Sequence, residues 1–543
     1  MRIVEGGSMT LPPSPSGPHG PWSPSRTPVE RPLQAPIPPL RPGEAPRLYG
    51  PPVAPPSGTD FMFGGFWPEK DLTPRPALLG AAAAIGVVAA VILPYHYAVS
   101  LAGLIVVAAL LLVPLGISRH RASPYTWLVA ALGTALVSLM VLRAAGWLTA
   151  LMLLVLVPLA FSALSAGRTV LDLLTAAVTW PLSLLRATPW ARRTAGTVRS
   201  LPVGWPVVRT AALCVVALLV FGALFATGDA VFGSWVQALI PTFDGGSVVL
   251  RVLVAAAIGA LALGTLYTAI NPPRPVHAPG IPAGPSRTVR RFEWLAPLGV
   301  VIAMFAGFVA AQATTMWAGH DYVQRTAGVT YAESVHKGFG QLTVATLLAL
   351  LTVAFVWWAA PRESKSDLAA LAGALGSLCA LALVVVVSAL YRMHVYQQAY
   401  GFTTLRLVVD AFELWMGLLL LLTIACVALR RVGQLPRAAL ASAAFVVIGL
   451  GWMNPEAWIA EHNVQRFEDT GKVDTAYLAT LGPDARAAIA RLPLDVAQCS
   501  VQQGPRDASW IEWNLGRDRA RDVHLDSRLY QQECNPNRDG QTR

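Results

Sequence analysis

Between Pro76 and Met453 long apolar stretches recur, each bounded by a short polar loop. A helix that crosses a bilayer needs about twenty mostly apolar residues. Eleven stretches meet that length: 76–93, 98–117, 124–142, 147–165, 207–226, 248–270, 294–316, 341–360, 368–390, 407–429 and 437–453. Unpaired backbone groups are too costly in hydrocarbon, so these segments are predicted to be helices. The expected fold class is an all-α, multi-pass transmembrane bundle of about eleven spans.

The stretch 169–187 (TVLDLLTAAVTWPLSLLRA) is apolar too, but it carries Asp172 and a central Pro181, and Arg192 and Arg193 follow it. It reads as an interfacial amphipathic helix, with a further span as the alternative.

Polar residues between the spans give the orientation. With the N-terminus in the cytoplasm, inner loops hold seventeen Arg and Lys residues, among them Arg119, Arg193, Arg291 and Arg437, whereas outer loops hold six. Short cytoplasmic loops carry the excess of positive charge. The expected placement is a bacterial plasma membrane, N-terminus cytoplasmic and C-terminus extracytoplasmic. Were 169–187 to span, half of the molecule would break this rule.

Composition agrees with the pattern. The chain has 543 residues, 54% of them hydrophobic and 13% charged, with mean hydropathy +0.52. Soluble proteins carry about 25% charged residues, so much of this surface is expected to face lipid. The net charge of +11 is spread over short loops rather than gathered in a patch, which argues against nucleic acid as a partner. The expected partners are the lipid bilayer and other membrane proteins, with any small-molecule ligand unspecified.

The ends differ from the middle. Residues 1–60 hold seventeen prolines, a composition that favours a disordered, polyproline-II-like tail. Residues 1–75 are read as that cytoplasmic tail, 76–453 as the membrane domain and 454–543 as a small, mostly helical extracytoplasmic segment. Asp474 and Pro483–Asp484 are helix-start signals there. Cys499 and Cys534 fall in the same segment, and an oxidising compartment makes them disulfide partners, two free thiols being the alternative.

Four segments resemble a family of bacterial membrane proteins defined only as a domain of unknown function, the one numbered 4173, with its sister 4153 next. They are Leu224–Phe232 (LFATGDAVF), Tyr331–Leu342 (YAESVHKGFGQL), Leu390–Leu407 (LYRMHVYQQAYGFTTLRL) and Asn454–Leu481 (NPEAWIAEHNVQRFEDTGKVDTAYLATL). The resemblance implies a multi-pass membrane protein and transfers no functional residue. Thr314–Gly319 (TTMWAG) departs from the more aromatic, glycine-rich family pattern.

Chemistry is expected at the outer ends of the spans. Arg251, Glu333, His336, Arg392, His394, Arg406, Asp410 and Glu413 form a candidate polar cluster there. Arg406, Asp410 and Glu413 are spaced four and three apart, which puts them on one helix face. A carboxylate within a span usually faces protein, water or a cation. Arg406 is expected to pair with Asp410, leaving Glu413 for Arg251 or Arg392. Interfacial ion pairing is the plain reading, and a ligand, ion or catalytic pocket the sharper one.

No G-x-x-x-x-G-K-[ST], H-E-x-x-H, C-x-x-C or G-x-S-x-G occurs, so no cofactor, metal or catalytic residue is assigned. A non-enzymatic transporter-like, sensor or scaffold protein is expected, the alternative being a membrane-embedded enzyme acting on an envelope substrate.

Overall fold

The computed structural model describes most of residues 67–200, 245–273, 290–318, 331–502 and 509–525, with isolated residues such as Phe63 and Cys534. Among these every regular element is helical. The expected span 207–226 lies largely outside the described residues.

Eight described helices are long and apolar enough to cross a membrane, and Pro76–Ile92 and Leu101–Ile117 are shorter apolar helices. In chain order the elements are α1 (Pro76–Ile92), α2 (Leu101–Ile117), α3 (Pro124–Leu142), α4 (Gly146–Ser165), α5 (Val170–Ser200) and α6 (Gly245–Ile270). They continue as α7 (Arg291–Ala318), α8 (Tyr331–Ala359), α9 (Lys365–Tyr400), α10 (Thr404–Ala428), α11 (Leu435–Trp452) and α12 (Pro455–Thr470). Four short α-helices follow among the described residues: α13 (Thr475–Leu478), α14 (Arg486–Ile489), α15 (Leu494–Cys499) and α16 (Leu515–Arg521).

Two apolar cores organise the long helices. One joins α2, α3, α4 and α11 around Leu136, Met152 and Leu159. The other joins α7, α8, α9 and α10 around Leu298, Val353, Leu378 and Leu420. Lipid tails are as apolar as these side chains, so close packing rather than water exclusion favours such contacts. At the α1–α6 crossing, a Cβ on Gly86 would lie 2.5 Å from the Ala255 carbonyl, so only glycine permits that approach.

The helices alternate between two faces. Arg119 N–H donates to the Ala269 carbonyl at 3.1 Å, and Arg437 donates to the Gly167 and Ala166 carbonyls at 2.8 Å each. Arg291 donates to Asp367 at 2.8 Å. These arginines mark one face. The C-terminal segment packs on the other.

Helix α5 stays at the arginine-rich face. Asp172, near its start, accepts from Arg168 and Thr169 N–H beside the end of α4. A Cβ on Gly264, near the end of α6, would meet Ser183 Oγ. Trp190 packs against Tyr267 with tilted rings whose centroids lie 6.2 Å apart, and Arg193 pairs with Glu69 at 2.5 Å. A helix of 31 residues is about 46 Å long, and its described contacts at Asp172, Ser183, Trp190 and Arg193 lie at that one face. The helix continues beyond 169–187 to Ser200 through Pro181 and Pro189.

Packed residues are described before the apolar stretches. Trp67 is fully buried and donates to the Asn271 carbonyl at 2.6 Å. The stretch 67–75, assigned above to the proline-rich tail, thus belongs in part to the packed structure.

Residues 455–525 form a small helical layer with its own core of Ala460, Val464, Leu478 and Ile489. Asp474 caps α13 by accepting from Tyr477 N–H at 2.9 Å. Cys499 and Cys534 are joined as a disulfide with Cα atoms 5.5 Å apart.

Candidate functional site

The candidate cluster divides into separate pieces. Arg251, near the start of α6, donates to the Ala90 and Val91 carbonyls at 3.0 and 3.2 Å, satisfying the end of α1. Arg392 reaches Gln312 on α7 at 2.8 Å, and His394 contacts Gln398 at 2.9 Å. Arg392 and His394 lie on helix rather than in a loop, because α9 runs to Tyr400. Glu333 and His336 likewise fall in the first turns of α8, and their side chains lie outside the described residues.

The expected Arg406–Asp410 pair is absent among the described interactions. Arg406 bonds the Tyr400 carbonyl at 3.2 Å and the Gly401 carbonyl, and its guanidinium lies 4.5 Å from the centre of the Tyr396 ring. Four unpaired carbonyls end each helix, and those of α9 draw Arg406 away from its own helix. Among the described interactions neither Arg251 nor Arg392 reaches Glu413.

Asp410 and Glu413 are instead held by neutral donors. Gln397 Nε2 of α9 donates to Asp410 Oδ2 at 2.6 Å. Thr343 Oγ1 of α8 donates to Glu413 Oε1. Glu413 is fully buried, and the second oxygens, Asp410 Oδ1 and Glu413 Oε2, are buried without a hydrogen-bond partner. Two carboxyls one turn apart therefore share the α8–α9–α10 junction, each with one oxygen unmet. Removing an ionised carboxylate from water costs several kcal/mol even after relaxation. The site needs a proton or a cation to be neutral. Gln397 lies in one of the family-like segments, whereas Thr343, inside an apolar run, carries no sequence signal.

A second polar region lies where residues 455–525 meet the ends of α2–α4. Trp147 Nε1 donates to Glu456 Oε1 at 3.2 Å, and Gly482 N–H donates to Glu456 Oε2 at 3.0 Å. Ala144 N–H donates to Asp484 Oδ2 at 2.6 Å. Burial, reinforced by the charge of Asp484, pushes the Glu456 carboxyl up to about 7. Burial also raises Asp484, against the pull of Arg143 and Arg517. Asn514 donates to the Met140 and Arg143 carbonyls at 3.0 and 2.9 Å. None of these residues stands out in the sequence as a site, since each becomes a polar contact only once the two layers dock.

A cavity of about 330 Å³ opens at this seam, between Tyr97–Val99 on one side and the loop 479–483 with Arg486, Arg517 and Arg521 on the other. Asp410 and Glu413 are not part of its lining. Among the described residues no cluster of His, Cys, Asp and Glu has the geometry of a metal site.

The family model described as Domain of unknown function (DUF4153) matches residues 130–492. The match encloses all four family-like segments and selects the sister family, whereas the sequence resemblance put the 4173 family first. No curated protein and no solved structure matches.

Proposed function

This chain belongs to the DUF4153 family, whose activity is unassigned, and from that premise we propose that it is a non-enzymatic, transporter-like protein of the bacterial plasma membrane, with Asp410 and Glu413 as its proton- or cation-binding site. One observation carries this reading: two buried carboxyl groups are held by Gln397 and Thr343 rather than by arginines, and each keeps an open oxygen. Ionisable groups inside a membrane commonly mark ion or proton paths. An interfacial ion pair, by contrast, would have closed on Arg406.

The topology proposed is eleven spans, N-terminus in the cytoplasm and C-terminus outside. Helix α5 keeps Trp190 and Arg193 at the arginine-rich face. Arg251, near the start of α6, touches the far end of α1. The chain therefore changes faces between them, which supports an eleventh crossing beyond the described helices. The positive-inside rule supports the sidedness.

The enzymatic alternative asks for a carboxylate beside space a substrate can enter. The cavity at the seam is lined by neither Asp410 nor Glu413, and that favours ion coupling.

The test is ion flux in proteoliposomes carrying the full chain, with an imposed membrane potential and a trapped pH-sensitive dye, across a panel of monovalent cations. Glu413→Gln and Asp410→Asn abolish the flux. Asp172→Asn preserves it, because Asp172 accepts two backbone N–H groups at the start of α5 and asparagine can still accept there. Equal tolerance of all three substitutions overturns the proposal.

A further inference from the structure

The cavity at the seam has walls from both layers of the protein. Tyr97, Ala98 and Val99 come from the stretch before α2, and Ala144 from the α3–α4 connection. The opposite wall is the backbone of 479–483 with Arg486, Arg517 and Arg521. Three arginines line it, and no aspartate or glutamate does. Its volume of about 330 Å³ falls at the lower end of ligand-binding cavities, roughly 300–1,000 Å³.

Each arginine is placed differently. Arg517 is anchored: it donates to the Val99 and Glu512 carbonyls at 2.7 and 2.8 Å and lies 4.6 Å from the centre of the Tyr97 ring. Its Nε is buried and meets no partner. Arg486 is only 6% exposed, an unusual burial for a group that carries a permanent charge. Arg521 is half exposed and only loosely associated with Asp518, at 3.9 Å. Asp484, behind the wall, faces Arg143 and Arg517, and Glu512 also acts on Arg517. These two acids offset part of the charge of Arg517, and all three arginines line the one cavity.

We propose that this cavity binds a phosphate group through Arg486, Arg517 and Arg521. Guanidinium is the side chain best shaped for phosphate oxygens, since its planar fork donates two parallel hydrogen bonds. Three such groups on separate helical turns suit a doubly charged, several-oxygen anion better than a single carboxylate. The cavity sits where the long helices end and the C-terminal layer begins, so the phosphate comes either from a lipid headgroup or from a free phosphate compound. Binding there would hold the two layers together, because Tyr97 and Arg517 belong to opposite walls. This site is separate from the Asp410–Glu413 pair and stands or falls independently of it.

The experiment uses the full chain in nanodiscs. Inorganic phosphate is titrated into phosphatidylcholine discs by calorimetry. Hydrogen exchange of residues 479–483 is then compared between phosphatidylcholine and phosphatidylglycerol discs. Saturable phosphate binding with protection of 479–483 identifies a free anion. Protection in phosphatidylglycerol discs alone identifies a lipid headgroup. Arg521→Glu removes a half-exposed cation and weakens either signal by about tenfold or more, the equivalent of one charge-assisted hydrogen bond. Arg491→Glu, in the same layer but off the lining, where Arg491 pairs with Glu461 at 3.0 Å, keeps it and controls for the change of charge. Absence of binding and protection under both conditions overturns the proposal, and so does Arg521→Glu binding as well as the unaltered chain.

Discussion

Gly401 shows how one residue joins the two layers. It ends α9 with φ +84°, a backbone region that glycine enters without steric cost. A Cβ there would lie 2.7 Å from Asn463 Oδ1, the atom that accepts from Phe402 N–H at 3.0 Å. Asn463 also donates to the Phe402 carbonyl at 2.8 Å, so this side chain serves both polar groups of one buried residue. Gly401→Ala is expected to cost about 1–3 kcal/mol through backbone strain and the displaced hydrogen bond. At Gly373, inside α9, an added methyl group would meet nothing within 4 Å, and Gly373→Ala should be neutral or stabilising by about 0.5–1 kcal/mol. Thermal unfolding of the two variants in detergent checks the contrast; equal midpoints would refute it. From the sequence, Asp410 and Glu413 were legible as costly residues on one face of a helix. Their partners were not, because Gln397 and Thr343 lie on other helices and neither spacing nor charge connects them.

At the scale of elements, α12 ties its first turn to the membrane helices through Glu456. A helix N-terminus favours a negative side chain there, yet burial and the nearby Asp484 dominate and lift the carboxyl to about 7. The folded protein thus binds a proton that the unfolded chain releases above the ordinary value of 4.5. Stability from this group is complete below about 4.5 and falls as the pH rises to about 7, by at most about 3 kcal/mol. Asp484, raised by burial, acts in the same direction. Glu456→Gln should therefore flatten, without abolishing, the fall in melting temperature between pH 5 and pH 8. An unchanged slope would remove Glu456 from this role. Helix α5 makes a different point. Its composition placed it at an interface, but its continuation to Ser200 was hidden by Pro181 and Pro189, which a helix lying along other helices tolerates better than propensity implies.

For the whole molecule, the alternation of helices separates arginine-rich loops from the C-terminal layer. Reporter fusions at Arg287 and after Val523 should report opposite sides of the membrane, the first cytoplasmic. Reporters on the same side would mean an even number of crossings between those points, contrary to one crossing by each of α7–α11. The joined cysteines Cys499 and Cys534 fit an oxidising exterior. Glu456, Asp484, Asn514 and Arg517 all bridge the seam between the layers.

The sequence by itself determined that the chain is helical, apolar and multi-pass, because a run of twenty apolar residues has no other way to satisfy its backbone in lipid. The alternation of loop charge gave an expectation of which loops share a face. Only the tertiary structure decided that Arg406 turns to the end of α9, that Asp410 and Glu413 meet neutral donors, and that three arginines share one cavity. Those outcomes depend on contacts between residues far apart in the chain, and hydrophobic periodicity says which face of a helix is covered but not by what.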